Sequence, residues 1–421
     1  MATASSDGWF APRPSTVTGS PSPDLTVEWR GRTYPAAPVA SGAAFELFAD
    51  DPDAGFLPNP RAGAAHPYRW FAHARDVRGD GAPVLAAPDP PLLAPLGDGL
   101  DAAAIQGLGQ SPYGGRAEHE LLAAVRETAR VVPGTKMIKP LSPHQVARVL
   151  TSAPRVWGVC FREHDTAHLR TPDDRRVLDG DPHPGDEAVF ALRFRACDAA
   201  DFTTPSIRDY AGLVSMAGSD RRGAPVLGTG FLPSRAELIP EFVTVDIADL
   251  PLPDRSELLA YTPDGSEIVV YQYLSERGAW TRMAGRQWRD FLHVLPGVPP
   301  NQEAFPVANA THIGLFGTYS GRQYPAVADP PHEYRVRAKS AAARFVVTNV
   351  VRSHLVGRWR DTDCVIAGTK DDWVRVRLRH PDTEAVKITD AECTERAVYE
   401  CWVPGRELED VQQIEHTYAA T

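Results

Sequence analysis

The chain has 421 residues, with 44 Lys and Arg against 54 Asp and Glu for a net charge of −10; 43% of its residues are hydrophobic and 23% charged. That is the composition of a soluble globular protein, and at roughly 100 to 200 residues per domain the length predicts two or three domains. An acidic balance without any run of five basic residues speaks against a nucleic-acid partner, whose capture rests on basic phosphate contacts.

No window of 18 apolar residues and no basic-then-apolar leader is present, so the expectation is a cytoplasmic protein with no membrane partner. Cys160, Cys197, Cys364, Cys393 and Cys401 are scattered and free of any C-x-x-C pair, which predicts reduced thiols and neither a disulfide framework nor a zinc ribbon. The basic residues are almost all Arg, and with heavy use of Ala, Pro and Gly this points to a bacterial source.

In chain order, residues 1–24 are rich in Ser, Thr, Pro and Gly and read as a disordered leader. Alternating apolar and polar residues around a glycine turn predict a hairpin over 25–36, and 44–48 a further strand, giving a first β module over 25–78. A Pro/Gly-rich linker follows over 79–115. The central region, 116–300, reads as an α+β domain. Its helices are predicted over 117–129 and over 142–150, the second with Ser142 as N-cap and Pro143 in the first turn. Strands are expected over 155–162, 188–196, 241–247, 257–261 and 267–274, with Pro263-Asp-Gly265 turning the last two into a hairpin. Trp280, Trp288 and Phe291 read as core. A second β module is expected over 310–421, with strands over 372–379 and 398–403. The fold class is therefore a β-rich α+β arrangement, a central α+β domain flanked by two related small β modules.

The relation between the flanking modules comes from an internal repeat. Trp29-Arg-Gly-Arg-Thr-Tyr-Pro-Ala36 recurs as Tyr319-Ser-Gly-Arg-Gln-Tyr-Pro-Ala326, five of the eight positions being identical. After a one-residue gap, Phe45, Leu47, Ala49 and Phe56 align with Tyr334, Val336, Ala338 and Phe345. Each copy reads as an aromatic facing the core, a glycine for a tight reversal and a Tyr-Pro ending the second strand.

No phosphate-binding Gly loop, zinc-protease helix, nucleophile elbow or EF-hand loop is present. Three polar constellations remain in the central domain. Arg162, Glu163, His164, Asp165 and His168 crowd a strand end, where His164 and His168 at i, i+4 have the spacing of a two-histidine metal site. No third ligand is placed by the spacing, so no metal is expected. Phe202-Thr-Thr-Pro-Ser206 puts hydroxyls after a strand, where local turn bonding also explains them. Gly228-Thr-Gly leads to Glu237 and Glu241, carboxylates at a strand mouth that serve either a polar ligand or solvent.

In order and spacing these motifs resemble the Arg/Ser/Glu class of bacterial ADP-ribosyltransferases over residues 155–275. The resemblance implies NAD as substrate, Arg162 on the dinucleotide phosphates, Thr204 and Ser206 supporting the cleft, and Glu241, with Glu237 nearby, as the catalytic carboxylates. A carboxylate there would stabilise the oxocarbenium-like state of glycosidic cleavage, and Arg suits bidentate phosphate recognition. The sequence departs from that class in its Pro205 and in the four-residue spacing of Glu237 and Glu241. The alternative is a non-enzymatic protein-interaction or toxin/immunity-type protein that takes a protein partner through the duplicated modules.

Overall fold

The computed structural model describes residues 23–53, 55–79, 82–83, 129–152, 155–178, 189–205, 231–234, 237–307, 312–329, 333–337, 345–396 and 398–418. Residues 1–22 of the expected leader, residues 117–128 of the helix expected over 117–129, and most of the linker lie outside these residues. The fold is β-rich α+β, with antiparallel sheets flanking a mixed central region. Among the described residues no helix is long and apolar enough to cross a membrane.

The N-terminal sheet has seven strands in the order Leu57–Pro58, Tyr68–His73, Ala44–Ala49, Arg32–Val39, Leu25–Trp29, Val77–Gly79 and Ala82–Pro83. It runs slightly past residue 78, into what the sequence presents as linker. The central sheet has nine strands, from Phe202–Thr203 at one edge through Phe242–Thr244, Val159–Arg162, Lys136–Leu141 and Val189–Arg195 to the hairpin Glu257–Tyr261 and Glu267–Leu274. It continues through Ala279–Arg282 to Ala304–Pro306, past the expected boundary at 300. Helix Pro143–Thr151 is capped as its sequence predicts: the Ser142 hydroxyl accepts from the Gln145 N–H while the Gln145 side chain accepts from the Ser142 N–H.

Two expected strands are shortened. The one over 155–162 is interrupted at Trp157 and Gly158, where Gly158 has a φ of 71° and a Cβ would run into the Glu395 carboxylate. The one over 241–247 ends at Thr244, where the chain enters a 3-10 turn with Asp246 at a φ of 55°.

The two repeat segments adopt the same geometry. Each is a hairpin with two turn residues at positive φ, Arg30 (49°) and Gly31 (74°) in one, Ser320 (48°) and Gly321 (74°) in the other. This is the backbone of the type I′ turn, whose twist matches that of the strands it joins. The third strands pair in the same register, Ala36 opposite Leu47 and Ala326 opposite Val336. A fourth segment then lies on the third strand: Trp70 stands opposite Leu47, and the Val336 N–H donates to the carbonyl of Phe345 at 2.8 Å. By register, Phe345 is thus the counterpart of Trp70, not of Phe56 as the sequence alignment has it. Ring geometry agrees, since Trp70 tilts 38° on Trp29 and Phe345 tilts 42° on Tyr319.

The C-terminal sheet runs from Glu333–Val336 through Arg322–Asp329, Ile313–Tyr319, Thr348–Trp359, Thr362–Lys370, Trp373–Leu378 and Val398–Pro404 to Glu392–Glu395, with Glu409–Thr417 on the long strand Thr348–Trp359. It shares a core with the central domain, as Leu378, Val398 and Tyr399 belong to the same buried cluster as Val149, Trp157 and Phe161.

A buried ion network crosses the same boundary. Arg377, with no exposed surface, donates to Asp249 at 2.8 Å, to the Ile247 carbonyl at 2.7 Å and to Glu400 at 2.8 and 3.0 Å. Asp249 also accepts from Arg155 at 2.6 Å, and Glu400 from Arg148 at 2.9 and 3.0 Å. Lys139, Arg148, Arg155 and Arg377 all lie within 5.7 Å of the centre of the buried Trp157 ring, where the quadrupole of the indole favours cations. Burial alone would raise the Glu400 carboxyl, but Arg377, Arg148 and Arg375 overrule it and hold it at about 2.

Removing one member of such a network strands its partners in a low dielectric. Arg377→Met is expected to cost about 3–5 kcal/mol in urea unfolding. Arg358→Met, which breaks exposed contacts to Asp361, Asp363 and Asp410, is expected to cost about 0.5 kcal/mol or less.

Candidate functional site

The topology brings the three polar motifs together. Phe202–Thr203, Phe242–Thr244 and Val159–Arg162 are neighbouring strands at one end of the central sheet, Thr203 standing opposite Val243 and Cys160 opposite Phe242. Their side chains, however, serve different partners. Arg162 gives Nε to Asp165 at 2.6 Å, Nη2 to the same carboxylate at 3.2 Å and Nη1 to the Arg130 carbonyl at 3.0 Å, with its guanidinium 5.8 Å from the Phe242 ring centre. Asp165 is fully buried, so desolvation raises its pKa while Arg162 opposes the rise. Glu241 is fully buried and ion-paired with Arg396 of the C-terminal sheet. Glu237 begins the strand Glu237–Pro240, opposite Ser234. Thr204 is half-buried after its strand, and Ser206 lies outside the described residues.

His164 and His168 face a third histidine that sequence spacing did not bring to them. His73, at the end of an N-terminal strand, has its ring centre 5.2 Å from that of His164 and 5.7 Å from that of His168. Its Nδ1 accepts from the Arg75 N–H at 3.2 Å, which leaves Nε2–H to donate to the His164 carbonyl at 3.1 Å. The neutral ring satisfies both bonds. Among the described residues no three His, Cys, Asp or Glu are grouped to hold a metal ion. The cluster instead joins the N-terminal sheet to the central domain, alongside Arg69, which donates to the carbonyls of Asp264 and Pro263 at 2.6 and 2.9 Å.

Two aromatic surfaces of the C-terminal sheet are open. One is a groove of about 590 Å³ lined by Trp359, Trp373, Trp402, Arg360, Arg375 and Glu407 among others, with Trp373 and Trp402 about half exposed. The Trp359 N–H is 3.4 Å from the Glu407 carboxylate, and Arg360 lies over the same indole. The other is the ring pair of the second repeat. In the first repeat Trp29 and Tyr34 meet at 6.1 Å and 63°, and Phe56 closes over them, stacked on Tyr34 at 5.1 Å. In the second, Tyr319 and Tyr324 meet at 6.4 Å and again 63°, and among the described residues no ring takes the place of Phe56. All three rings of the first set are buried; Tyr319 and Tyr324 are half-buried and Phe345 is 44% exposed.

Sequence reading passed over Tyr324 as a site residue, although a signal for it existed. The link from third to fourth strand runs over residues 50–67 in the first repeat and only over 337–344 in the second, so the segment carrying Phe56 has no counterpart.

No protein-family model, no curated protein and no solved structure matches this chain. The likeness to ADP-ribosyltransferases therefore rests on the three short motifs alone.

Burial depresses the His73 pKa to about 4, with His164 adding repulsion. The native state thus resists a proton that the unfolded chain accepts near 6.5, so stability from His73 is complete above pH 6.5 and falls as pH drops toward 4. The loss is about 3 kcal/mol over that window. Urea titrations between pH 7 and pH 4 are expected to show it, and His73→Phe to flatten it.

Proposed function

We propose that the chain is a non-enzymatic interaction protein, built on two related β modules of which the C-terminal one receives a protein partner. One observation carries this reading: the second repeat leaves open an aromatic pair that the first repeat closes with a ring of its own. Exposed aromatic surface on an otherwise packed sheet is costly unless a partner covers it, and aromatic residues dominate the energetics of interfaces. The half-exposed indoles of Trp373 and Trp402 add a second such surface on the same sheet.

An NAD-consuming reading draws on a different observation, the adjacency of the Arg162, Thr204 and Glu241 strands. It requires Arg162 to leave Asp165 and Glu241 to leave Arg396, each at the price of an uncompensated buried charge. The interaction reading asks for no such rearrangement.

Nicotinamide release from millimolar NAD separates the two. The expected result is no release by the wild-type chain, with Glu241→Gln lowering stability by about 3 kcal/mol through loss of the buried ion pair to Arg396. Release that disappears in a folded Glu241→Gln variant would overturn the interaction reading in favour of the enzyme.

A further inference from the structure

The first repeat contains a worked example of what covers such a ring pair. Its Phe56 is delivered by a turn in which the Phe56 N–H donates to the Asp53 carbonyl at 3.0 Å, with Gly55 at a φ of 91°. The reversal sets the side chains of Asp53 and Phe56 against neighbouring parts of one hairpin. The Asp53 carboxylate takes a hydrogen bond from the Tyr34 hydroxyl and pairs with Arg32 at 2.7 Å, while the Phe56 ring stacks on Tyr34 and meets Trp29 edge-on at 6.0 Å. One acid and one ring, three residues apart, thus cap a Tyr, an Arg and a second aromatic.

The second repeat presents that receptor without the cap. Arg322 stands where Arg32 does, opposite Tyr319 as Arg32 is opposite Trp29, and Tyr324 stands where Tyr34 does. Among the described residues neither the Arg322 guanidinium nor the Tyr324 hydroxyl has a side-chain hydrogen bond or ion pair. The link that would have to supply the cap reads Arg337-Ala-Lys-Ser-Ala-Ala-Ala-Arg344, which contains neither an acid nor an aromatic residue. The missing groups cannot come from that stretch, and the open Arg322 guanidinium favours an acidic visitor.

We infer that the Arg322/Tyr324/Tyr319 face binds an acidic turn of a protein partner with the pattern Asp-x-Gly-aromatic. Its aromatic ring lies on Tyr324 and its carboxylate bridges the Tyr324 hydroxyl and Arg322. This rests on the interaction reading above and specifies its partner chemistry. Specificity comes from the pair of groups together: the ring supplies apolar contact, and the carboxylate answers one cation and one hydroxyl at a fixed offset.

The test uses the full chain and a fluorescein-labelled peptide with the sequence of residues 50–58, Asp-Asp-Pro-Asp-Ala-Gly-Phe-Leu-Pro, followed by anisotropy. Binding in the range of about 0.1–1 mM is expected, as for a short segment with one buried ring. Replacing the peptide phenylalanine by alanine, or Tyr324→Ala in the protein, is expected to weaken it about tenfold. Changing the peptide aspartate that corresponds to Asp53 to asparagine, or Arg322→Ala, is expected to weaken it about two- to fivefold at low salt, the range of an exposed ion pair. Tyr324→Phe keeps the ring and is expected to match the asparagine peptide. Arg32→Ala is expected to change nothing, because the first repeat is already filled.

No binding at 5 mM, or binding indifferent to the phenylalanine and to Tyr324→Ala in a variant with native circular dichroism, overturns the inference. Binding that needs the ring but ignores the acid and Arg322 overturns the Asp-x-Gly-aromatic pattern while leaving the open ring pair as a docking site. The interaction reading itself is decided separately, by nicotinamide release.

Discussion

Arg377 holds Asp249 of the central domain and Glu400 of the C-terminal sheet at the same time, wholly out of water. A guanidinium there is tolerable only while both carboxylates are in place, and each carboxylate only while its arginines are. The constraint spreads outward: Asp249 recruits Arg155, Glu400 recruits Arg148 and Arg375, and Trp157 offers its ring to Arg148, Arg155 and Arg377. The network and the apolar core thus cross the same boundary between the central and C-terminal sheets.

In the same setting, two polar groups that the sequence singles out in the central domain are engaged by partners within the protein. Glu241 faces a cation from the neighbouring sheet and Arg162 spends its donors on Asp165 and a backbone carbonyl. Glu241 thereby ties the central region to the C-terminal segment, while Arg162 braces its own strand end.

Local rules carried the sequence reading well. The capping box at Ser142, the hairpin at Pro263–Gly265 and the two glycine turns of the repeat are written in residues three or four apart, and each forms as its local chemistry requires. The pairing of Arg162 with Asp165 was within the same reach, three residues along, and could have been weighed against a ligand role. What lay beyond reach depended on distant chain. Arg396 comes to Glu241 from the other end of the chain, the Glu395 carboxylate occupies the space beside Gly158 where the strand breaks, and His73 meets His164 across a sheet interface. The repeat shows the same limit: Phe345 aligns with Phe56 by spacing, yet strand pairing sets it in the place of Trp70, because register is decided by hydrogen bonds to the third strand and not by residue likeness.

The difference between residues 50–67 and 337–344 therefore changes more than loop length. A cap tethered about twenty residues from its own receptor is present at a local concentration that short linkers place in the millimolar range, above that of ordinary free competitors. The first repeat is in this sense saturated from the moment it folds. On the interaction reading proposed above, a chain that carries the module twice would offer it once, with a valency of one toward a capping partner.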